Sequence, residues 1–317
     1  MHKTYISSVS LIAFLAIFAI FTIIIVNSLP VRAAPPSVDL GTATPFAILS
    51  GTPNITDAGN ASVIQGNVGL SPATGAGIGI VCSQVTGAIY SVDAAGPPCR
   101  INNASLLTIA KNDLTAAYID AAGRTPLTTV PTELGGTTLV AGIYDSSSTT
   151  FGITAGAGAL VLDGQNDPSS VFIFQAPFNG TGLNVNSGST VTLTNGAQAC
   201  NVFWRVNTAA IDTTASFVGT ILALNSISVA NGATIEGRLL ARNGNVTLIN
   251  DTITVPTCTD TINEDEGEGD GGTGVVIPGF PNTGESSGQL ILWIATSTLI
   301  VSLGSLLVYI AYKKHNA

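Results

Sequence analysis

Three stretches of this chain can be written above one another at a constant offset. They are Asn201-Val-Phe-Trp-Arg-Val-Asn207, Gly219-Thr-Ile-Leu-Ala-Leu-Asn225 and Gly237-Arg-Leu-Leu-Ala-Arg-Asn243, so that Asn207, Asn225 and Asn243 recur every 18 residues. Ser216-Phe-Val-Gly219 matches Thr234-Ile-Glu-Gly237 at the same offset, and Val171-Phe-Ile-Phe-Gln175 is a looser copy. A period near 20 residues in a sequence of short β-runs, broken by Gly, Asn, Ser and Asp, is the mark of a solenoid whose coils bury a core only by stacking. Successive coils then sit about 4.8 Å apart.

The repeat also assigns faces. Positions 204, 222 and 240 hold Trp, Leu and Leu, while 203, 221 and 239 hold Phe, Ile and Leu. Adjacent strand residues point to opposite sides, so this sheet is expected to be apolar on both, with Trp204 stacked on Leu222 and Leu240. One side is the solenoid core and the other needs a cover. One helix is legible, over about 102–122. Asn102 or Asn103 caps it, and Leu106, Leu107, Ile109, Ala110, Leu114, Ala117, Tyr118 and Ala121 recur at helical spacing. Gly123 ends it, with Pro126 just beyond. Asn207, Asn225 and Asn243 are expected to stack at a turn and bond to neighbouring backbone.

The strand after that turn reads Leu183-Asn-Val185, Ile211-Asp212, Ile227-Ser-Val229 and Val246-Thr-Leu248. With the apolar residues inward, Asn184, Asp212, Ser228 and Thr247 form an outward column. A third strand supplies Thr190, Thr192, Ser216, Thr234, Thr252 and Thr254. Thr-rich exposed strands also arise simply because Thr suits a pleated surface.

Both chain ends read as targeting segments. His2 and Lys3, the apolar run Leu11 to Val26, and Val31-Arg-Ala-Ala34 make residues 1–33 a secretory signal peptide, an N-terminal anchor being the alternative. Residues 259–279 form an acidic, Gly-rich linker that cannot bury a core. Residues 290–312 are long and apolar enough to span a bilayer, and a basic tail, residues 313–317 with Lys313 and Lys314, would stay cytoplasmic. The segment between them, 280–284, holds Phe280, Pro281, Thr283 and Gly284. It resembles a sortase cell-wall sorting signal of the L-P-x-T-G type, with Phe280 where Leu is usual. That resemblance implies cleavage after Thr283 and linkage to peptidoglycan. A plain membrane anchor is the alternative. Either way the domain at 37–258 is exported and held at the cell surface by its C-terminus.

Cys82, Cys99, Cys200 and Cys258 all lie in that domain, an even count that favours disulfides in an exported chain. Three pairings are possible, Cys82–Cys99 with Cys200–Cys258 being the simplest. A four-thiolate metal site lacks any Cys-x-x-Cys pair.

Charge excludes more than it suggests. Between Ser37 and Cys258 stand 12 acidic and 6 basic residues, and the two histidines of the chain are His2 and His315. A net charge of −9 argues against nucleic acid, which requires a basic surface. Without a domain histidine, Ser-His-Asp and Cys-His catalysis are excluded. Paired carboxylates remain conceivable, but Glu133 and Glu236 are the domain's only glutamates. Asp163-Gly-Gln-Asn-Asp167 reads as a turn, a Ca²⁺ loop being the lesser alternative. No enzyme, cofactor or metal is expected.

Several segments carry a family resemblance in order: Leu40-Gly-Thr-Ala-Thr-Pro-Phe-Ala-Ile-Leu49, Ile64-Gln-Gly-Asn-Val-Gly-Leu-Ser-Pro72, the helix ending Ala116-Ala-Tyr-Ile-Asp-Ala-Ala-Gly123, Ala141-Gly-Ile-Tyr144, Gly196-Ala-Gln-Ala-Cys-Asn-Val-Phe-Trp-Arg205 and Gly237-Arg-Leu-Leu-Ala241. Together they resemble the microbial ice-binding protein family over nearly all of Ser37 to Val255. The resemblance implies a mainly β fold, a discontinuous right-handed three-faced β-solenoid with one long helix alongside. It also implies adsorption to ice through one flat solenoid face, as antifreeze, recrystallisation inhibitor or ice adhesin. Of the family's T-[AG]-x-[TN] motif only Thr181-Gly-Leu-Asn184 fits, and Asp212 is expected to interrupt the outward column. The candidate surface residues are therefore Thr181, Asn184, Thr190, Thr192, Ser228, Thr234 and Thr247. The expected partner is an ice crystal or, if the fold serves adhesion or display instead, an extracellular polymer.

Overall fold

Short strands with alternating small and apolar residues can bury their apolar side only if the next coil repeats the pattern. The computed structural model, which describes residues 35–176 and 182–259, shows this stacking as three parallel sheets of 12, 7 and 3 strands. The signal-peptide, sorting-motif and membrane-span segments lie outside the described residues, as does Thr181.

Each coil passes through a first, a second and a third face. The two eight-residue strands Ser216–Ala223 and Thr234–Ala241 run from third face to first without a break. They turn the corner at a glycine. Gly219 has φ +112°, and a Cβ there would stand 2.7 Å from Val202 Cγ1 and 2.9 Å from Trp204 Nε1. Only glycine allows both the backbone angle and the close approach.

That corner corrects the expected stacking. The offset is 18 between Ser216–Ala223 and Thr234–Ala241, but Trp204 pairs with Ile221, an offset of 17. Trp204, Ile221 and Leu239 therefore share the core side, while Phe203, Leu222 and Leu240 face the helix. The 18-residue offset returns by Ala209, which pairs with Ile227. The sheet is apolar on both sides, with the partners of the two columns exchanged. Trp204 lies stacked on Phe174 at 3.8 Å between ring centroids, and its Nε1 donates to Val218 O at 3.0 Å.

The helix spans Ala104–Gly123, and Asn103 caps it by accepting from Leu106 N at 3.0 Å. Its buried stripe is Leu107, Ala110, Leu114, Ala117, Tyr118 and Ala121, packed on Phe46, Leu49, Ile143, Ile173, Phe203, Leu222 and Leu240. Leu106 and Ile109 fall off this stripe; Ile109 is 49% exposed, because at 100° per residue it points away from Leu107. Two guanidinium groups lie over the ring of Tyr118, Arg205 at 4.5 Å and Arg242 at 4.8 Å from its centroid.

The solenoid is discontinuous. In the first sheet Phe46–Ser50 sits between Asn67–Leu70 and Arg238–Ala241, so the first coils of the chain stack on its last coil. The chain leaves at one edge of the sheet, at Ile101–Asn102, and re-enters at the other, at Thr128–Val130. Ten strands in sequence along that sheet extend about 43 Å. The 20-residue helix covers about 30 Å of this distance.

The cysteines pair as Cys82–Cys99 and Cys200–Cys258, with Cα separations of 5.9 and 5.7 Å. The second ties the end of the described chain to the turn before Val202–Val206. Of the asparagine stack, Asn225 Nδ2 donates to Asn207 Oδ1 at 2.7 Å. Asn243 joins through its backbone, its N–H donating to Leu224 O.

Candidate functional site

The second face is built from Thr150–Ile153, Gly182–Val185, Thr208–Ile211, Ile227–Val229, Val246–Leu248, Ile55–Asp57 and Ile78–Gly79, in that spatial order. Phe151, Ile153, Leu183, Val185, Ile211, Ile227, Val229, Val246, Leu248 and Ile55 point inward and are buried. Alternation then sends the intervening residues outward. The pairing places Gly152, Asn184, Ala210, Ser228, Thr247, Thr56 and Gly79 in one file across seven coils. The register runs along this sheet without a shift.

This file revises the expected column. The residue beside Asn184 and Ser228 is Ala210, not Asp212. Asp212 follows one alternation later, where its N–H donates to Val185 O, so it stands at the margin with Asn186 and Ala230. The strand here is Thr208–Ile211, two residues earlier than the sequence pattern suggested, because the apolar inward positions are Ala209 and Ile211. The central file thus carries no charge. On its other side run Thr150, Gly182, Thr208, Ser226, Asn245 and Asn54, again small and uncharged.

The third face is less regular. Thr138, Val161 and Thr192 form one file. Ser216, Thr234, Thr252 and Val63 form another, which Thr190 joins through a single bridge to Ser216. Glu236 stands exposed in the middle of this face, beside Thr254 and Gln65.

The candidate residues chosen by type therefore fall on two faces. Asn184, Ser228 and Thr247 share the central file of the second; Thr190, Thr192 and Thr234 lie on the third. Thr56, Ala210, Gly152 and Gly79 escaped the sequence reading. Thr56 follows an inward apolar residue, Ile55, as Thr247 follows Val246, but its other neighbour is Asp57, and nothing local shows that its strand is inserted beside Val246–Leu248.

Three carboxylates near these faces, Glu133, Asp163 and Asp167, are engaged by the fold. Glu133 closes one end of the second face: its Oε1 accepts from Gly135 N at 2.6 Å and Thr154 N at 3.0 Å, and its Oε2 accepts from the Thr154 hydroxyl. Burial raises its pKa, but these hydrogen bonds outweigh burial and hold it below the ordinary value. Asp163 Oδ1 accepts from Gln165 N at 2.8 Å and Asn195 Nδ2 at 2.9 Å, and Asp167 Oδ1 from Ser169 N at 2.9 Å. With Gln165 and Asn166 at positive φ, this segment is a turn. Among the described residues no group of three or more His, Cys, Asp or Glu could hold a metal ion.

Comparison with known proteins agrees with this architecture. The ice-binding-like family model matches residues 48–254. An ice-binding protein of Colwellia sp. is 46% identical over 232 residues, covering 72% of this chain and 87% of the relative. One of Flavobacterium frigoris is 43% identical over 223 residues, covering 69% of this chain and 76% of the relative. The crystal structure of an ice-binding protein from an Antarctic biological consortium superposes with a TM-score of 0.61 at 35% identity, over 73% of this chain and 97% of that one. The chain belongs to the ice-binding-like family.

Proposed function

We propose that this protein adsorbs to ice through its second face. The observation that carries the proposal is the uncharged, in-register file from Gly152 to Gly79, seven coils long. An ice surface offers neither pocket nor charge. A binder must therefore present a flat array of small hydroxyl and methyl groups, rigid enough to order water without paying entropy on contact. A charged side chain would keep its own hydration. Parallel stacking over a close-packed core supplies that rigidity, and Ser228, Thr247 and Thr56 supply hydroxyls on three successive coils. The names of the relatives support the same reading. We read it as a binding role rather than an enzymatic one, a reading supported by Glu133, Asp163 and Asp167 already accepting bonds from the backbone.

We further read the ends of the chain as export and surface anchoring, with Phe280, Pro281, Thr283 and Gly284 offered to a sortase or residues 290–312 held in the membrane. The domain would then be displayed toward external ice. Fractionation of the host after lysozyme treatment distinguishes wall linkage from membrane anchoring.

The direct test is thermal hysteresis and ice-recrystallisation inhibition by residues 35–259 at micromolar concentration, with folding checked by circular dichroism. Absence of both activities in a folded sample would sink the ice reading and leave polymer adhesion or surface display.

A further inference from the structure

In a continuously wound solenoid, covalent connection limits how far neighbouring coils can slip. One junction here has no such connection. Ile55–Asp57 stacks on Val246–Leu248, and the chain joining them runs around the rest of the domain. The three hydroxyl residues of the central file straddle this seam, Ser228 and Thr247 on one side and Thr56 on the other. A slip of one residue would turn Thr56 inward and break the file.

The buried carboxylates of the described residues, Asp57 and Asp251, both stand at this seam, 5% and 1% exposed. Asp57 follows Thr56 directly. Its Oδ1 accepts from Asn250 N at 3.1 Å across the seam and from Gly59 N at 3.3 Å. Its Oδ2 accepts from Ser62 N at 3.0 Å and from Gln84 Nε2 of the next coil outward. Ser62 Oγ accepts from Asp251 N at 2.9 Å, again across the seam. Asp251 Oδ1 accepts from Ala233 N at 2.9 Å, one coil further on, and its Oδ2 accepts from Ile249 N at 2.8 Å. A buried polar thread thus ties four neighbouring corner turns together. The bonds that cross between coils, from Asn250 N, Asp251 N, Gln84 Nε2 and Ala233 N, cannot be met in a slipped register, and buried polar groups left unmet are costly.

We infer that Asp57 is a positioning residue for ice adsorption, holding Thr56 in the plane of Thr247 and Ser228 through Asn250, Ser62 and Gln84. The inference rests on the second face being the ice-binding one. Its role is alignment across a covalent gap rather than contact with ice.

The test is a double-mutant cycle in the full chain, purified in detergent micelles, read as thermal hysteresis and as the fraction captured by growing ice. Thr56→Val removes the hydroxyl and keeps strand shape; Asp57→Ala removes the clasp. Asp57→Ala is expected to lower activity several-fold in the native background and to add little in the Thr56→Val background, with unchanged circular dichroism at the assay temperature. Equal fold-losses in both backgrounds would mean that Asp57 only stabilises the fold, and would overturn the inference. If Asp57→Ala does not fold, Ser62→Ala and Gln84→Met loosen the same thread singly; full activity in both, with folding intact, also overturns it. Lack of activity in the unsubstituted protein is a separate failure, that of the ice reading itself, and is seen before any variant is compared.

Discussion

Thr56 stands directly beside Thr247 on the second face, although nearly the whole folded chain separates them in sequence. Their neighbour Ser228 belongs to the coil before Thr247. The uncharged file is assembled from both ends of the domain, so it exists only when the first coils have docked on the last.

Bulk introduced on this file should act on function and not on stability. Thr247→Tyr and Thr56→Tyr are each expected to abolish thermal hysteresis while changing unfolding free energy by no more than about 0.5 kcal/mol, the usual range for surface substitutions. Thr234→Tyr, on the third face beside Glu236, should leave hysteresis intact. Loss with Thr234→Tyr and retention with Thr247→Tyr would move the adsorbing surface to the third face.

Among the described residues Trp204 is the largest fully buried side chain, stacked on Phe174 and edge-on to Phe151 at 6.1 Å between centroids. Trp204→Ala removes that packing and leaves Val218 O without its donor. A destabilisation of about 3–5 kcal/mol is expected. Urea unfolding followed by circular dichroism measures it. A loss below 1 kcal/mol would mean that the neighbouring coils collapse into the space.

Two buried groups set opposing pH dependences. Burial first, and the nearby Asp57 carboxylate among lesser causes, raise Asp251 from 3.8 to about 6. Between those values the folded form keeps a proton that the unfolded form has released, so stability should fall as pH rises from about 4 to 6. Burial first, then Arg242, lower Lys111 from 10.5 to about 7, while its Nζ donates to Ala241 O at 2.8 Å and Arg242 O at 2.6 Å. Between about 7 and 10.5 the unfolded form holds the proton, so stability should rise with pH. Urea midpoints across pH 4–10 should show a minimum near 6–7. Lys111→Met should flatten the alkaline limb and Asp251→Asn the acid one.

The disulfides close loops of different size, with sequence separations of 17 and 58. Chain-entropy arguments assign about 3 kcal/mol to the shorter and about 4 to the longer. Replacing both Cys200 and Cys258 with Ser should therefore lower the thermal midpoint more than replacing Cys82 and Cys99. Calorimetry of the two variants gives the order, and the reverse order would point to residual structure in the unfolded chain.

Local periodicity fell short where a single glycine or a strand end changed the register. The repeat made Trp204 and Leu222 partners, yet the corner at Gly219 shortens that offset by one and gives Trp204 to Ile221. The pattern Ile211-Asp212 pointed to an interrupted column, yet the strand begins at Thr208 and places Ala210 there. The broad helical stripe included Ile109, which points into solvent, because only the contact surface of the sheet decides how wide a stripe is covered.

By itself the sequence determined that this domain is a β-solenoid with a helix over a two-sided apolar sheet, because the 18-residue recurrence and the period-3.6 stripe are local properties of the chain. It also set the expectation of a small, weakly charged working surface, in a domain that contains no histidine. Only the tertiary structure decided which residues share that surface. Thr56 and Thr247 lie in coils with no covalent link between them, and their alignment is set by backbone pairing and by buried hydrogen bonds such as Asp57 to Asn250. No sequence offset encodes such a contact, since the register of non-consecutive coils is a long-range choice made by packing.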